Sequence, residues 1–386
     1  MNSYQAIEAT DLTRLAGVQS AQNPPLQALS DAQTVWAAAL PWGHSSSITD
    51  QSVLISRFES GATFLSVLRL WHETQVNSAP ENSTNLQPKL TVYALDPTPW
   101  TLESLRAYWL GGQQTGFKSQ QEQQYGFHPA TREALEWLMQ YWPQATPGLH
   151  CIRFEHWNCV LWLWFGDTER GLNQITGSLN AAWPQVELSP KAQRHLSALL
   201  KPIEAQHPVV SNPAAASKPK PLTVAVIGAG IAGSGTAKTL CEQGFQVHLL
   251  DAADGPAAGA SGNWVGAFHP HITRDDTPLS QLTRLGCEFT LQALESLTQQ
   301  GLLLKGKDWD TPGHVQTIPS DEVQRTRDTL AQLQFPEQVV RWAEPHTQMP
   351  THLHGLYFPQ GAWVKPTRWV QANLEACGLG LTVHYQ

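Results

Sequence analysis

An apolar run followed at once by three regularly spaced glycines constrains this chain more than any other feature. Residues 222–227 read Leu-Thr-Val-Ala-Val-Ile, and Gly228, Gly230 and Gly233 follow in a G-x-G-x-x-G pattern. The run predicts a buried parallel strand. The first glycine permits a tight turn, the second lets the backbone approach a pyrophosphate, and the third lets a helix pack closely on the strand. The pattern therefore predicts a helix whose N-terminus holds the phosphates of a dinucleotide.

The residues after the glycines complete a βαβ unit. Ala237 and Leu240 fall on the helix face that packs on the sheet, Gly244 ends the helix, and residues 245–250 form a second strand. Asp251 ends this strand, 18 residues after the third glycine, near the position expected for a carboxylate that accepts hydrogen bonds from the adenosine ribose. A glycine-rich turn in another kind of α/β protein is the alternative interpretation.

The loop at residues 259–263 indicates which dinucleotide binds. It reads Gly-Ala-Ser-Gly-Asn, where a nicotinamide dehydrogenase usually continues into another crossover helix. The loop resembles that of the amino-acid-oxidase-like flavoproteins, which lies against the FAD pyrophosphate. An ordinary surface turn is the alternative, because glycine, serine and asparagine are turn residues. The predicted FAD contacts are Gly228, Ala229, Gly230, Ile231, Ala232, Gly233, Asp251, Ala260, Ser261, Gly262 and Asn263.

A broader resemblance extends over residues 224–386 and over patches of the first half. It is carried by the loop at 259–263, by segments 266–270, 313–316 and 357–363, and by Trp309. Patches at 59–61, 96–97 and 163–167 fall in the same order as segments of the same family. The chain resembles the bifunctional tRNA 5-methylaminomethyl-2-thiouridine biosynthesis proteins, which join a methyltransferase domain to a C-terminal FAD-dependent oxidoreductase domain.

The first half departs from the methyltransferase pattern of that family. A methyltransferase of this fold needs a glycine-rich loop after its first strand, so that the backbone passes close to S-adenosylmethionine. In the family Phe-Gly-Thr-Gly follows this point, but here Gly61 is followed directly by Ala-Thr-Phe-Leu. By resemblance Asp96 and Asp167 suit a ribose and an adenine contact, and the alternative for each is a solvated carboxylate at a strand end. We therefore predict a degenerate methyltransferase-like domain, without tight binding of S-adenosylmethionine.

These observations predict an α/β protein with two domains. Residues 1–203 form the degenerate methyltransferase-like Rossmann domain, and residues 204–221, rich in proline, alanine and lysine, form a semi-rigid linker. Residues 222–386 form an FAD-binding Rossmann-type domain with part of an antiparallel substrate domain. The resemblance implies that this FAD domain is incomplete at its C-terminal end, with residues 381–385 as a strand on the substrate side.

The resemblance also implies a reaction. The flavin domain would oxidatively remove the carboxymethyl group from 5-carboxymethylaminomethyluridine at the wobble position of tRNA, through a hydride transfer to flavin and hydrolysis of the resulting imine to glyoxylate and an aminomethyl group. No catalytic acid or base is assigned, because His269, His271 and His314 near the flavin loop also suit packed or surface positions. Two alternatives stay open: a flavin amine oxidase for a small substrate such as glycine or sarcosine, and a non-catalytic remnant.

Composition limits the partners and the compartment. The net charge of −8 argues against a generally basic nucleic-acid surface, and leaves Lys305 with Lys307, or Lys365 with Arg368, as local candidates for tRNA phosphates.

The start of the chain lacks a signal peptide and no run is long enough to cross a membrane, so the expected location is cytoplasmic. Five cysteines without C-x-x-C spacing predict reduced thiols and no metal site; zinc at Cys151, Cys159, His150 and His156 is the alternative.

Overall fold

The computed structural model describes residues 50–58, 60–78, 88–110, 129–183, 188–200, 222–343 and 354–386. These residues form two compact units, one within residues 50–200 and the other within residues 222–386. The predicted linker at 204–221 and Glu59 lie outside the described residues. Among the helices of the described ranges, none has both the length and the apolar character needed to cross a bilayer.

The first unit is built around a five-stranded sheet in the order β3-β4-β2-β1-β5. All neighbouring pairs are parallel except β3 with β4, which is antiparallel. Its elements in chain order are β1 (Gln51–Ile55), α1 (Ala62–Ser78), β2 (Leu90–Asp96), α2 (Leu102–Leu110), α3 (Pro129–Gln140), β3 (Gly148–Phe154), β4 (Cys159–Phe165), α4 (Thr168–Leu172), β5 (Ala181–Trp183) and α5 (Pro190–Leu199).

Both faces of this sheet are covered, which explains why its strands are almost continuously apolar. Helices α1, α2 and α3 pack on one face around buried side chains such as Phe64, Trp71 and Leu135. Helices α4 and α5 pack on the opposite face around Leu172 and Leu199. The first unit is therefore a three-layer α/β structure, and the α/β prediction is confirmed.

The second unit contains the predicted βαβ segment within a parallel sheet of order β14-β7-β6. Two helices, α6 and α9, pack against each other on this sheet. The elements of the unit in chain order are β6 (Thr223–Ile227), α6 (Ile231–Glu242), β7 (Gln246–Asp251), β8 (Gly266–Phe268), α7 (Pro278–Gln299), β9 (Trp309–Asp310), β10 (His314–Ile318), α8 (Val323–Leu333), β11 (Arg341–Ala343), β12 (His354–Phe358), β13 (Ala362–Val364), α9 (Pro366–Ala376) and β14 (Leu381–Tyr385).

Strand β6 is parallel as predicted, but the prediction that it is buried is wrong. Val226 is buried against the helices, whereas the side chain of Ile227 is 87% exposed. The physical reason is that α6 and α9 share one apolar cluster with Val226, Val247 and Leu249 and so cover one face of the sheet, while alternate side chains point to the other face.

Strand β14 corrects a second prediction, because it does not lie on the substrate side. It pairs in parallel with β7, with Tyr385 opposite Asp251. The preceding helix α9 packs on α6, partly through a buried hydrogen bond from Asn373 Nδ2 to Ser234 Oγ of 3.1 Å. This packing returns the chain to the edge of the dinucleotide sheet.

The other strands form two small antiparallel sheets, in the orders β10-β12-β11 and β8-β13-β9. In the first of these sheets β10 and β12 pair over residues 314–318 and 354–358. Helix α7 is long, but its apolar face is only partly buried. Leu294 and Leu297 are in the core, whereas Leu282 is 64% exposed and Phe289 is 39% exposed, because the core contacts of α7 concentrate in its C-terminal half.

Candidate functional site

The glycine turn between β6 and α6 has a geometry that requires glycine. Gly228 has φ +99° and its N–H donates to Leu250 O at 2.7 Å, which ties the turn to the end of β7. A Cβ on Gly233 would lie 1.7 Å from Gly228 O. Helix α6 therefore packs so closely on the turn that only glycine fits at position 233, as the glycine spacing predicts.

The loop at residues 259–263 folds against the N-terminus of α6. Residues Ala260–Gly262 form a short 3₁₀ turn, and Ser261 Oγ accepts a hydrogen bond of 3.1 Å from Ile231 N. A Cβ on Gly230 would lie 3.0 Å from the same hydroxyl oxygen. Ser261, predicted from the family resemblance, thus lies at the helix end where unpaired N–H groups favour an anion.

Asp251 also reaches the glycine turn. Its Oδ2 accepts from Ala229 N at 2.6 Å and its Oδ1 accepts from Ala253 N at 2.9 Å. These backbone hydrogen bonds lower the pKa of Asp251, and the bond from Ala229 has the largest effect. Across the strand pair, burial and the charge of Asp251 raise the pKa of Tyr385. The carboxylate is therefore ionised at neutral pH, and each oxygen retains acceptor capacity for a hydroxyl group.

Ala257 is a contributor to this site that the sequence did not predict. Its N–H donates to Ala229 O at 2.9 Å, and it has the positive φ of 59° that is uncommon for a residue with a Cβ. Its carbonyl oxygen would lie 2.7 Å from a Cβ on Gly262. Ala257 therefore joins the glycine turn to the loop at residues 259–263. The neighbouring small residues and proline at 255–259 indicate a turn, but not this contact.

The residues present fit a dinucleotide. Added Cβ atoms at Gly228 and at Gly259 would meet no heavy atom within 4 Å, so space remains beside the backbone on both sides of the helix end. The first turn of α6 supplies N–H groups, Ser261 a hydroxyl and Asp251 an acceptor for a ribose. The remaining predicted contacts, Ala232 and Asn263, lie in the first turn of α6 and directly after the 3₁₀ turn.

Two of the three histidines that the sequence singled out come together. His269 and His314 stack with ring centroids 4.5 Å apart, and Phe358 stacks on His269 at 4.4 Å. Burial and the neighbouring His269 lower the pKa of His314. His271 is exposed, and its backbone N–H donates to Thr283 Oγ1. The pair is a packed aromatic group at the start of β10, without an assigned catalytic role.

The two carboxylates considered for S-adenosylmethionine have contacts within the first unit. Asp96 is 3% exposed and its Oδ1 accepts from Thr98 N at 3.1 Å, so the interpretation of Asp96 as a solvated carboxylate is wrong. It is buried because the chain turns back over it after β2. Asp167 is the N-cap of α4 and accepts from Arg170 N at 2.7 Å.

The basic pairs considered for tRNA are partly engaged within the protein. Lys305 Nζ lies 3.6 Å from Glu295 Oε2 and 4.8 Å from the centroid of the Trp309 ring. Arg368 Nε lies 3.6 Å from Asp308 Oδ1. Lys305 and Arg368 are therefore surface groups with intramolecular partners.

The residues considered for zinc are packed inside the first unit. Cys151 and Cys159 lie on β3 and β4, and burial raises the pKa of Cys159 above its usual range. His150 is buried, with Nε2 2.8 Å from Thr146 O. Within the described ranges, no group of three or more histidine, cysteine, aspartate or glutamate residues is arranged to hold a metal. All five cysteines are free thiols.

Comparison with known families agrees with this geometry. Residues 223–386 match the family model described as FAD dependent oxidoreductase. This part of the chain is therefore an FAD-dependent oxidoreductase domain, and the predicted cofactor, FAD, is confirmed at the level of the family.

The curated relatives confirm the broader resemblance. The chain is 29% identical over 328 residues to the tRNA 5-methylaminomethyl-2-thiouridine biosynthesis bifunctional protein MnmC of Cupriavidus necator, an alignment that covers 67% of this chain and 49% of the relative. It is 30% identical over 323 residues to the protein of that name from Cupriavidus metallidurans, covering 65% and 48%. With that of Delftia acidovorans it shares 38% identity over 161 residues, covering 40% and 24%. The chain spans about half the length of the curated relatives that it matches most extensively.

Solved structures of two oxidases also align with part of the chain. Glycine oxidase from Bacillus cereus aligns with a TM-score of 0.35 and 18% identity, covering 43% of this chain and 46% of that chain. Iminodiacetate oxidase from Chelativorans aligns with a TM-score of 0.35 and 22% identity, covering 42% and 46%.

Proposed function

We propose that this protein is an FAD-dependent oxidoreductase of tRNA wobble-uridine modification, which removes the carboxymethyl group from 5-carboxymethylaminomethyluridine. The proposal extends the family assignment of residues 223–386 to a substrate, and the names of the matching relatives support it. Because tRNA is modified in the cytoplasm, the proposal also assigns the protein to that compartment. In this proposal residues 1–203 are a methyltransferase-like domain, 204–221 a linker and 222–386 the oxidoreductase domain.

The observation that supports the cofactor site is the convergence of three segments on one helix end. The glycine turn, the Ser261 loop and Asp251 are joined by hydrogen bonds to Ile231 N and Ala229 N. We assign the pyrophosphate to the N–H groups of the first turn of α6 and to the Ser261 hydroxyl, and the adenosine ribose to Asp251. Ala260, Gly262 and Asn263 form the adjoining wall.

The chemistry divides between cofactor and protein. When bound, FAD supplies the acceptor for a hydride from the carbon next to the amine nitrogen. The described residues bind and orient it through backbone N–H groups, one hydroxyl and one carboxylate. Water then hydrolyses the oxidised carbon–nitrogen bond of the substrate, which releases the two-carbon unit as glyoxylate and leaves the aminomethyl group on the uridine.

Binding of FAD tests the site directly. The purified chain is reconstituted with FAD, and the bound fraction is measured from the flavin absorption spectrum after gel filtration and from quenching of flavin fluorescence. We expect binding by the wild-type chain and by the control Gly235→Ala, because a Cβ at residue 235 lies 3.9 Å from its nearest neighbour atom. Gly233→Ala should abolish it. A wild-type chain that stays colourless after reconstitution contradicts the proposed site.

Mass spectrometry of tRNA tests the substrate. A strain that lacks the gene should accumulate 5-carboxymethylaminomethyluridine at the wobble position, and the wild-type gene or the Gly235→Ala variant should restore the normal nucleoside. Unchanged wobble-uridine modification in the deletion strain rejects the tRNA substrate. If the flavin-loaded protein then consumes oxygen with glycine or sarcosine, the activity is that of a small-molecule amine oxidase.

A further inference from the structure

The first unit has the strand order of a nucleotide-binding α/β fold. Strand β1 lies between β2, which follows it in the chain, and β5, which returns on its other side. In such sheets the ligand lies outside the carboxyl ends of the strands, where the strand order reverses. The connection from β1 to α1 is therefore the place where a nucleotide cofactor of the methyltransferase type would contact the backbone.

The described residues of this connection, 56–58, 60 and 61, lie close to β2 and to one another. Phe58 N donates to Leu95 O at 3.1 Å, so the chain still follows β2 after β1 has ended. Gly61 N donates to Phe58 O at 2.9 Å, and α1 begins at the next residue, Ala62. The backbone at this point bonds to itself and to β2.

The space beside the glycine of this turn is filled by protein atoms. Gly61 has φ +78°, and a Cβ there would lie 3.0 Å from two ring atoms of Phe58 and 3.2 Å from Leu138 Cδ2. A Cβ added at Gly228 or at Gly259 of the flavin domain would lie more than 4 Å from every heavy atom beyond the adjoining residues of the chain. The two units therefore differ at the first glycine after their leading strand, Gly61 against Gly228, and at Gly230 of the flavin domain the nearest atom to such a Cβ is a hydroxyl oxygen, Ser261 Oγ at 3.0 Å, rather than an aromatic ring.

The side chains that fill this space form a completed aromatic core. Phe58 is 1% exposed, and its ring lies 5.4 Å from the ring of Trp142. The indole N–H of Trp142 donates to Trp100 O at 2.9 Å, and that of Trp109 donates to Ser60 O at 2.8 Å. Since buried indoles with satisfied N–H groups are characteristic of packed cores, the described residues around Phe58 are protein interior and do not line an open crevice.

We infer that the first unit keeps the architecture of a nucleotide-binding domain but fills its cofactor crevice with its own aromatic side chains, and does not bind S-adenosylmethionine. The burial of Asp96 agrees, because the carboxylate that would contact a ribose is only 3% exposed. The inference does not depend on the proposed function of the flavin domain. It goes beyond the "bifunctional" name of the relatives, since it assigns this chain a single cofactor.

Calorimetric titration of the full chain with S-adenosylmethionine, and separately with S-adenosylhomocysteine, tests this inference. We expect no binding heat and no change in hydrogen exchange of residues 56–66 with either compound. As a control, near-ultraviolet circular dichroism of the tryptophan side chains must show that the first unit is folded in the sample that is titrated. A saturable one-to-one titration, or protection of residues 56–66, overturns the inference whether or not FAD binds to the other unit.

A pair of substitutions tests the filled crevice independently. Phe58→Ala should lower the melting temperature of the first unit by about 10 °C, because it leaves a cavity in a packed core. The matched control is Leu149→Ala, which truncates a side chain that is 36% exposed in the same unit, and it should change the melting temperature little. Equal melting temperatures for Phe58→Ala and wild type would show that the Phe58 ring lies in open space and would overturn the inference.

Discussion

The carboxylate of Asp251 accepts a hydrogen bond of 2.6 Å from the backbone N–H of Ala229, so the end of β7 is fastened to the turn that follows β6. These two residues are 22 positions apart in the chain and belong to the two arms of the βαβ unit. A negative charge is thereby held beside the N-terminus of α6, whose macrodipole favours it. The same carboxylate thus organises the turn and faces the proposed ribose.

Asp251→Asn should weaken FAD binding by about tenfold or more, since a neutral amide replaces an ionised acceptor and its nitrogen donates and cannot accept a hydrogen bond. The measurement is the FAD dissociation constant from fluorescence quenching. Asp254→Asn, at an exposed carboxylate three positions along the chain, is the matched control and should bind like the wild type. Equal affinities for the two variants would remove Asp251 from the site.

Gly233→Ala should prevent the second unit from folding normally, because its Cβ would lie 1.7 Å from Gly228 O. Gly235→Ala, two positions along the same helix, should raise helix stability by about 1 kcal/mol, the usual gain for replacing glycine by alanine. Thermal unfolding followed by far-ultraviolet circular dichroism compares them. A Gly233→Ala protein with normal melting and normal FAD affinity would contradict the close helix packing described here.

Ser261→Ala should lower FAD affinity about fivefold, because the hydroxyl that accepts from Ile231 N is lost at the proposed phosphate position. The exposed Ser320, replaced by alanine, is the control. Both proteins are titrated with FAD under the same salt conditions. If Ser261→Ala leaves the affinity for FAD unchanged, the Ser261 side chain does not bind the cofactor.

His314 should make the second unit less stable in acid. Because its pKa is lowered in the folded state, the unfolded chain binds a proton more readily, and stability falls as the pH drops below the ordinary histidine value of about 6.5 and towards the lower folded value. His314→Gln should show a smaller loss of melting temperature between pH 8 and pH 5. His271→Gln, at an exposed histidine, should keep the wild-type dependence, and identical pH profiles for the two variants would contradict the assignment.

The sequence predicted the βαβ unit well because its determinants are local. The glycine spacing, the apolar runs and the helix-ending Gly244 each act within a few residues, and Gly244 indeed has φ +85° directly after the end of α6. The second loop was predicted by resemblance, but its hydrogen bond to the helix end joins residues 30 positions apart, and no short pattern encodes it. Ala257 was missed for the same reason.

The errors concern which surfaces are covered. Periodicity identifies the strand at β6 but does not reveal that both neighbouring helices lie on one face, which leaves Ile227 exposed. The placement of β14 beside β7 depends on how α9 packs on α6, a contact between segments that are far apart in the chain, as the Ser234–Asn373 separation of 139 illustrates. In the first unit the missing glycines led to the prediction of no tight binding of S-adenosylmethionine, which stays a prediction, whereas the aromatic side chains beside Gly61 became evident only from their packing.

Among the residues that the structure describes, strand β6 is an edge strand of the three-stranded parallel sheet, with the Ile227 side chain exposed and Leu250 beside it. An unpaired edge with apolar side chains recruits strands from other molecules. We therefore expect self-association of the second unit at high protein concentration. A single lysine in place of Ile227 is the simplest way to keep it monodisperse for the titrations.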